Sequence, residues 1–184
     1  MSRRRGRVAT IVAATGLVVS FAGWGWFVSE QGREGWWSLG QHVAITPDDQ
    51  GRAVVDSLSV RLTGAATVSE VEEEPAPAGF SYLVLDFEVS AEDSTEASTC
   101  DVQVRDDRGR LFQAGQEVPY ADPYLPWLTC GSADHTEDPV PSHQSMLVLV
   151  PDDTGLVSVR VDAREFPPAT FIELPLPPDE DAGP

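Results

Sequence analysis

The sequence has no lysine; all 12 of its basic residues are arginine, set against 30 Asp and Glu. It has only two cysteines, three histidines and two methionines in 184 residues. Each scarcity removes a class of function. A net charge of −18 excludes nucleic acid as a partner, because neutralising phosphates needs clustered positive charge. The same charge keeps the folded part off an anionic lipid surface. Two cysteines with sparse histidines are too few soft ligands for a zinc site. The cysteines are not spaced C-x-x-C and have no basic neighbour, which argues against a redox role. H-E-x-x-H, G-x-S-x-G and a D-x-D-x-D-G calcium loop are all missing. The expectation is a chain that is not an enzyme and has no cofactor and no metal site.

Long apolar runs are scarce too, with one exception. Residues 8–28, VATIVAATGLVVSFAGWGWFV, run 21 positions without a charge. As a helix they would span roughly 30 Å, the thickness of a bilayer core. Arg3, Arg4, Arg5 and Arg7 precede the run and Glu30 follows it, so the positive-inside rule places the N-terminus in the cytoplasm. Trp24, Trp26 and Phe27 then fall at the outer interface, and Trp36 and Trp37 extend the belt. The predicted layout is a basic cytoplasmic tail over 1–7 and a transmembrane helix or signal anchor over 8–28. A spacer over 29–52, an exported domain over 53–176 and a disordered acidic tail over 177–184 complete it. The expected location is the cell membrane, single-pass, with the C-terminal domain extracytoplasmic. The alternative is a cleaved signal with its site at Ser20-Phe21-Ala22, which would secrete the domain. The run has no cysteine for lipidation. Residues 30–184 keep eight arginines against all thirty acids, a net of −22. Such a domain stays soluble and repels anionic polymers.

In an exported chain, Cys100 and Cys130 are expected to form a disulfide. The bond would close a loop of about thirty residues and stabilise the fold by about 3–4 kcal/mol.

Beyond the anchor the apolar pattern has period two. Leu58, Val60 and Leu62 alternate with Ser59 and Arg61, and Leu83, Leu85, Phe87 and Val89 alternate with Val84, Asp86 and Glu88. Cys100, Val102 and Val104 share a face, so the cysteine points inward. Asp106-Asp107-Arg108-Gly109 followed by Arg110-Leu111-Phe112-Gln113 reads as a hairpin. Residues 145–150, 156–161 and 170–174 supply three more strands, for a total of seven. The predicted fold class is all-β, an immunoglobulin-like antiparallel β-sandwich. Three segments read as irregular: an acidic, mobile loop over 66–79, a long proline-rich loop over 116–143, and the tail.

These pieces resemble a known family. The segments LSVRLTGA, FSYLVLDFEVSA, DVQVRDDRGRLF and SMLVLVPDDTGLVSVRV follow one another as in the immunoglobulin-like (telokin-like) extracellular domains of unknown function of Gram-positive envelope proteins. The resemblance covers Val54 to Leu176. It departs from the family at Ala91-Glu92-Asp93-Ser94, which is acidic where relatives carry Asn or another small polar residue. It implies an exported sandwich and hands over no catalytic residue.

The remaining groups are weighed one by one. Asp48-Asp49, Asp106-Asp107 and Asp152-Asp153 each sit in a turn beside Gly or Pro, where Asp bonds its own backbone. Glu72, Glu73 and Glu74 read as a solvated run rather than a glycosidase pair. A Ser–His–Asp set drawn from His135, Asp134 and Ser132, Ser142 or Ser145 lacks a nucleophile elbow. Tyr120, Tyr124 and Trp127 form the candidate interaction surface, because aromatic side chains bury much area with few rotatable bonds. The competing reading is that these rings cap an open end of the core. The function expected is a non-enzymatic protein-interaction module at the cell envelope, with an envelope protein as partner. The alternative is a small-ligand or cation-binding accessory or sensor domain.

Overall fold

The computed structural model describes residues 15–26, 28–29, 32, 42–91, 99–131, 140–163, 166–167 and 169–177. The chain divides into two compact units, Met1–Gly40 and Gln41–Pro184. In the first, residues 15–26 are helical, and Leu17, Phe21, Trp24 and Trp26 are all exposed. Among the described residues, no helix is long and apolar enough to cross a membrane. Residues 8–14 and 27 of the predicted span, and Trp36 and Trp37, lie outside the described residues.

The second unit is all-β, with two sheets facing one another. One sheet holds β2 (Arg52–Val55), β3 (Leu58–Val68), β6 (Phe80–Ala91) and β10 (His143–Pro151), in the order β10-β6-β3-β2. The other holds β1 (Val43–Ile45), β7 (Thr99–Asp106), β8 (Leu111–Gln113), β11 (Leu156–Asp162) and β12 (Thr170–Pro175), in the order β1-β12-β11-β7-β8. A short β9 (Leu128–Thr129) also pairs with β7. A separate hairpin joins β4 (Glu70–Val71) to β5 (Glu74–Pro75). All pairings between named strands are antiparallel except β1 with β12.

The period-two pattern decides which residues face inward. Leu85, Phe87 and Val89 of β6 meet Val102 and Val104 of β7, Val159 and Val161 of β11, and Ile172 and Leu174 of β12 in one continuous core. The expected alternation of β3 holds as far as Leu62. There the register against β6 slips between Leu62 and Gly64, and Thr63 donates its hydroxyl to the Asp86 carbonyl at 3.0 Å. The extra residue reverses the parity, so Ala65, not an even-numbered residue, packs against the core.

Seven strands stand where the sequence predicts them; five short ones do not appear in that reading. β1 lies inside the predicted spacer, within the second compact unit. Three residues are too few to show an alternation, and β1 exists because β12 offers its edge. The acidic segment 66–79 is not an unstructured loop either. β3 runs to Val68, and Glu72 and Glu73 take φ values of 47° and 68° in the two-residue turn of the β4–β5 hairpin. Positive φ at both central positions is the backbone such a turn requires. Val71 is buried beside Tyr82 and holds the hairpin down.

Candidate interaction surface

The strand β10 is apolar on both faces. Met146, Val148 and Val150 enter the main core, while Leu147 and Leu149 point the other way. On that outer face they join Tyr82, Val84, Val71 and Ala121 in a second apolar cluster. The cover over this cluster is the loop between β8 and β9, together with the β4–β5 hairpin. The aromatic loop therefore lies across the outside of a sheet; it does not cap an open end of the sandwich. The acidic hairpin also touches the electrostatics here. Burial pushes the Tyr82 hydroxyl above its ordinary pKa, and the Glu74 carboxylate adds to that rise.

The loop is fastened along its length. Gly115 N–H donates to the Leu147 carbonyl at 2.9 Å, and Leu125 N–H donates to the Ser145 carbonyl at 2.9 Å. Tyr124 forms a parallel bridge with Ser145. These bonds occupy the edge of β10, which would otherwise offer unpaired backbone groups. Gly115 has φ +72°, and a Cβ there would lie 2.2 Å from the Pro126 carbonyl oxygen. Only glycine lets the two ends of the loop approach so closely. Ala121 is buried, and Val118 and Tyr124 pack partly against the cluster.

Past Trp127 the chain enters β9, where Leu128 pairs with Cys100 and Thr129 with Thr99. Cys130 closes the disulfide to Cys100, with Cα atoms 5.9 Å apart and both residues buried. Gln144 of β10, itself buried, holds the same segment from the other sheet. Its amide nitrogen donates to the Thr129 carbonyl at 2.8 Å, and its oxygen accepts from Thr129 N–H at 2.8 Å. A buried glutamine satisfied on both sides acts as a strand partner. Nothing in the sequence pattern marks Gln144, because its partner is a backbone 15 residues away.

On this fixed base the three rings differ. Tyr124 is half-buried in the second cluster, whereas Tyr120 is 94% exposed and Trp127 54% exposed. Between Tyr120, Tyr124, Pro119 and Pro126 lies a notch of about 40 Å³. Small-molecule sites are roughly 300–1,000 Å³, so the notch is far too small for one. Residues 114–128 carry two acids, Glu117 and Asp122, and no cation.

The remaining predicted groups fall elsewhere. Asp48 Oδ1 accepts from the N–H groups of Gln50 and Arg52 at 2.9 and 3.0 Å. Those two backbone bonds, Arg52's first, hold its pKa below the ordinary value, and the charge of Arg52 adds to the effect. Asp106 likewise caps its own turn, accepting from the N–H groups of Arg108 and Arg110. Among the described residues, no three His, Cys, Asp or Glu side chains converge as a metal site. Ser145 donates its hydroxyl to Asp86 at 2.6 Å; Ser132, Asp134 and His135 lie outside the described residues. Arg52 and Arg61 converge on Glu88 at 3.0 and 2.6 Å, and Arg105 and Arg160 on Glu173 at 2.8 and 3.9 Å.

No protein-family model matches the chain, and no curated protein does. Among solved structures, a putative lipoprotein from Staphylococcus aureus subsp. aureus NCTC 8325 is similar. It is 10% identical, with 70% of this chain and 90% of that chain covered and a TM-score of 0.39. A likeness that weak carries no argument about fold or function.

Proposed function

We propose that this protein is a membrane-anchored, extracytoplasmic, non-enzymatic interaction module that docks an envelope protein through Tyr120 and Trp127. One observation carries the reading: two large aromatic side chains stand in solvent on a loop held by sheet bonds, a disulfide and a buried glutamine. A docking surface that is already ordered loses little entropy on binding. Exposed Tyr and Trp on such a base match the composition of binding hot spots. Tyr124 supports the surface from beneath and is not itself a free contact.

The sandwich itself is read as immunoglobulin-like. The sheet β3-β6-β10 corresponds to strands A, B and E of that fold, and β12-β11-β7-β8 to G, F, C and C′. The disulfide differs from the antibody pattern, since it ties the start of β7 to the segment after β9 rather than joining the two sheets' central strands. The anchor rests on the uncharged run over 8–28 with its basic flank, and on the exposed apolar side chains of the helix over 15–26. The partner is expected to be neutral or basic where it meets the loop, because Glu117 and Asp122 flank the rings.

The test is photo-crosslinking in intact cells from position 120 or 127 of the full chain, with intact mass measured on the membrane and culture fractions. The expected result is a full-length chain in the membrane and a discrete adduct. Tyr120→Ala with Trp127→Ala, crosslinked from a neighbouring loop position, should reduce that adduct about tenfold or more with the melting temperature unchanged. An undiminished adduct would overturn the docking surface. A chain shortened after Ala22 in the medium would overturn the anchor. A second reading, a small-ligand accessory domain, is favoured by a cleft at the other end of β10.

A further inference from the structure

We infer that this cleft is a binding site for a compact apolar molecule bearing a primary amine. The inference rests on the small-ligand reading and is independent of the aromatic surface. The cleft is lined by residues at the ends of both sheets, and its volume is about 480 Å³. That falls within the range of small-molecule sites. Thr67 and Gly155 are among the residues that line it. Its apolar side is formed by Leu83 and Val150, each 3% exposed, with Leu156 and Leu176 from the other sheet's side.

The rim supplies one charge. Asp152 lines the cleft, and Ser81 donates its hydroxyl to Asp152 Oδ1 at 2.5 Å. Asp152 N–H donates to the Gly79 carbonyl at 3.1 Å, so the carboxylate sits on a bonded turn. An ionised carboxylate has about four acceptor sites, and the serine uses one. No arginine or histidine lines the cleft. Arg110 reaches Thr154 on the rim at 3.2 Å, but its Nε is committed to Asp106 at 2.6 Å. Asp153 follows Asp152 on the turn, and Asp107 N–H bonds the Gly155 carbonyl at 2.8 Å, which brings a further acid beside the mouth. The local potential therefore repels a carboxylate and attracts a cation. An ammonium group presents three donors to Asp152 and the Thr67 hydroxyl, while an apolar body covers the leucines. A neutral ligand would use the apolar side and leave the charge unmet.

The test titrates the isotopically labelled full chain at low salt with cyclohexylamine, cyclohexanol and cyclohexanecarboxylate, read by amide NMR shifts. The amine is expected to bind in the millimolar range, with shifts at Leu83, Val150 and Leu156. Cyclohexanol should bind about fivefold more weakly and the carboxylate not at all. Asp152→Asn should bring the amine to the affinity of the alcohol. Thr67→Trp, at an exposed wall position, should abolish both and carries the test if Asp152→Asn disturbs folding. Equal affinity for amine and alcohol, amine binding unmoved by both variants, or shifts outside the cleft would each overturn the proposal. Tyr120→Ala with Trp127→Ala should leave the titration unchanged, so the cleft and the docking surface fail separately.

Discussion

Asp106 shows how one side chain can make a turn. It is 1% exposed, yet it is an acid at the end of a strand. Its Oδ1 accepts from the N–H groups of Arg108 and Arg110 at 3.0 and 2.6 Å, and its Oδ2 accepts from Arg110 Nε at 2.6 Å. Burial alone would push its pKa up. The Arg110 side chain and the two backbone donors outweigh burial and hold it below the ordinary 3.8. A depressed folded-state value means that the stabilisation is complete above about pH 4 and is lost as pH falls through the lower folded value. Asp106→Asn is therefore expected to melt several degrees below the parent at pH 7, with the gap closing toward pH 3. Circular-dichroism melts across that range check it; a gap independent of pH would show that shape rather than charge is what matters. The Asp-Arg-Gly composition marks this turn from sequence. The burial of Asp106 is not marked, because the neighbouring turn that bonds Asp107 through the Gly155 carbonyl and Arg110 through Thr154 is distant in sequence.

At the scale of elements, the loop between β8 and β9 behaves as a second layer. It has few strand residues, yet it covers the outer face of a sheet and occupies that sheet's edge. The apolar run Met146–Val150 already signals a strand buried on both sides. What covers its outer face is not legible, since Val71, Ala121 and Tyr124 come from two distant segments of ordinary composition. Gly115 is where this layer is most sensitive. Gly115→Ala combines a positive φ with a clash against Pro126 backbone that no side-chain rotation relieves. The expected outcome is a loss of roughly 1–3 kcal/mol in urea unfolding, with faster hydrogen exchange at Gly115 and Leu125. Protection unchanged at both amides would show that the loop is held by its side chains instead.

At the scale of the whole molecule, the disulfide joins positions 30 residues apart and pins the loop layer to β7. Chain-entropy arguments assign such a closure about 3–4 kcal/mol, a large part of the roughly 5–15 kcal/mol typical of a domain. The double variant Cys100→Ser, Cys130→Ser should lower the urea midpoint accordingly, and Trp127 fluorescence should shift because β9 is no longer tethered. A midpoint within error of the parent would mean that Gln144 and the β9 pairing suffice. Charge is also organised at this scale. Four arginines are gathered two by two on Glu88 and Glu173, on the two sheets. Each such pair is partly exposed and contributes little alone.

The alternation of Leu83 to Val89, the hairpin from Asp106 to Gln113 and the two cysteines on an inward-facing pattern were determined by the sequence alone. Each is a local signal: strand period, turn chemistry and residue scarcity act over a few neighbours. The tertiary structure decided the rest. β1 needed the edge of β12, the β4–β5 hairpin needed Tyr82 to bury Val71, and Tyr120 and Trp127 were left exposed only once Tyr124 and Ala121 had been taken under the loop. The cleft beside Asp152 is likewise lined by residues of both sheets that lie far apart in sequence. These outcomes depend on which distant surfaces meet, and burial is a property of that meeting rather than of any segment.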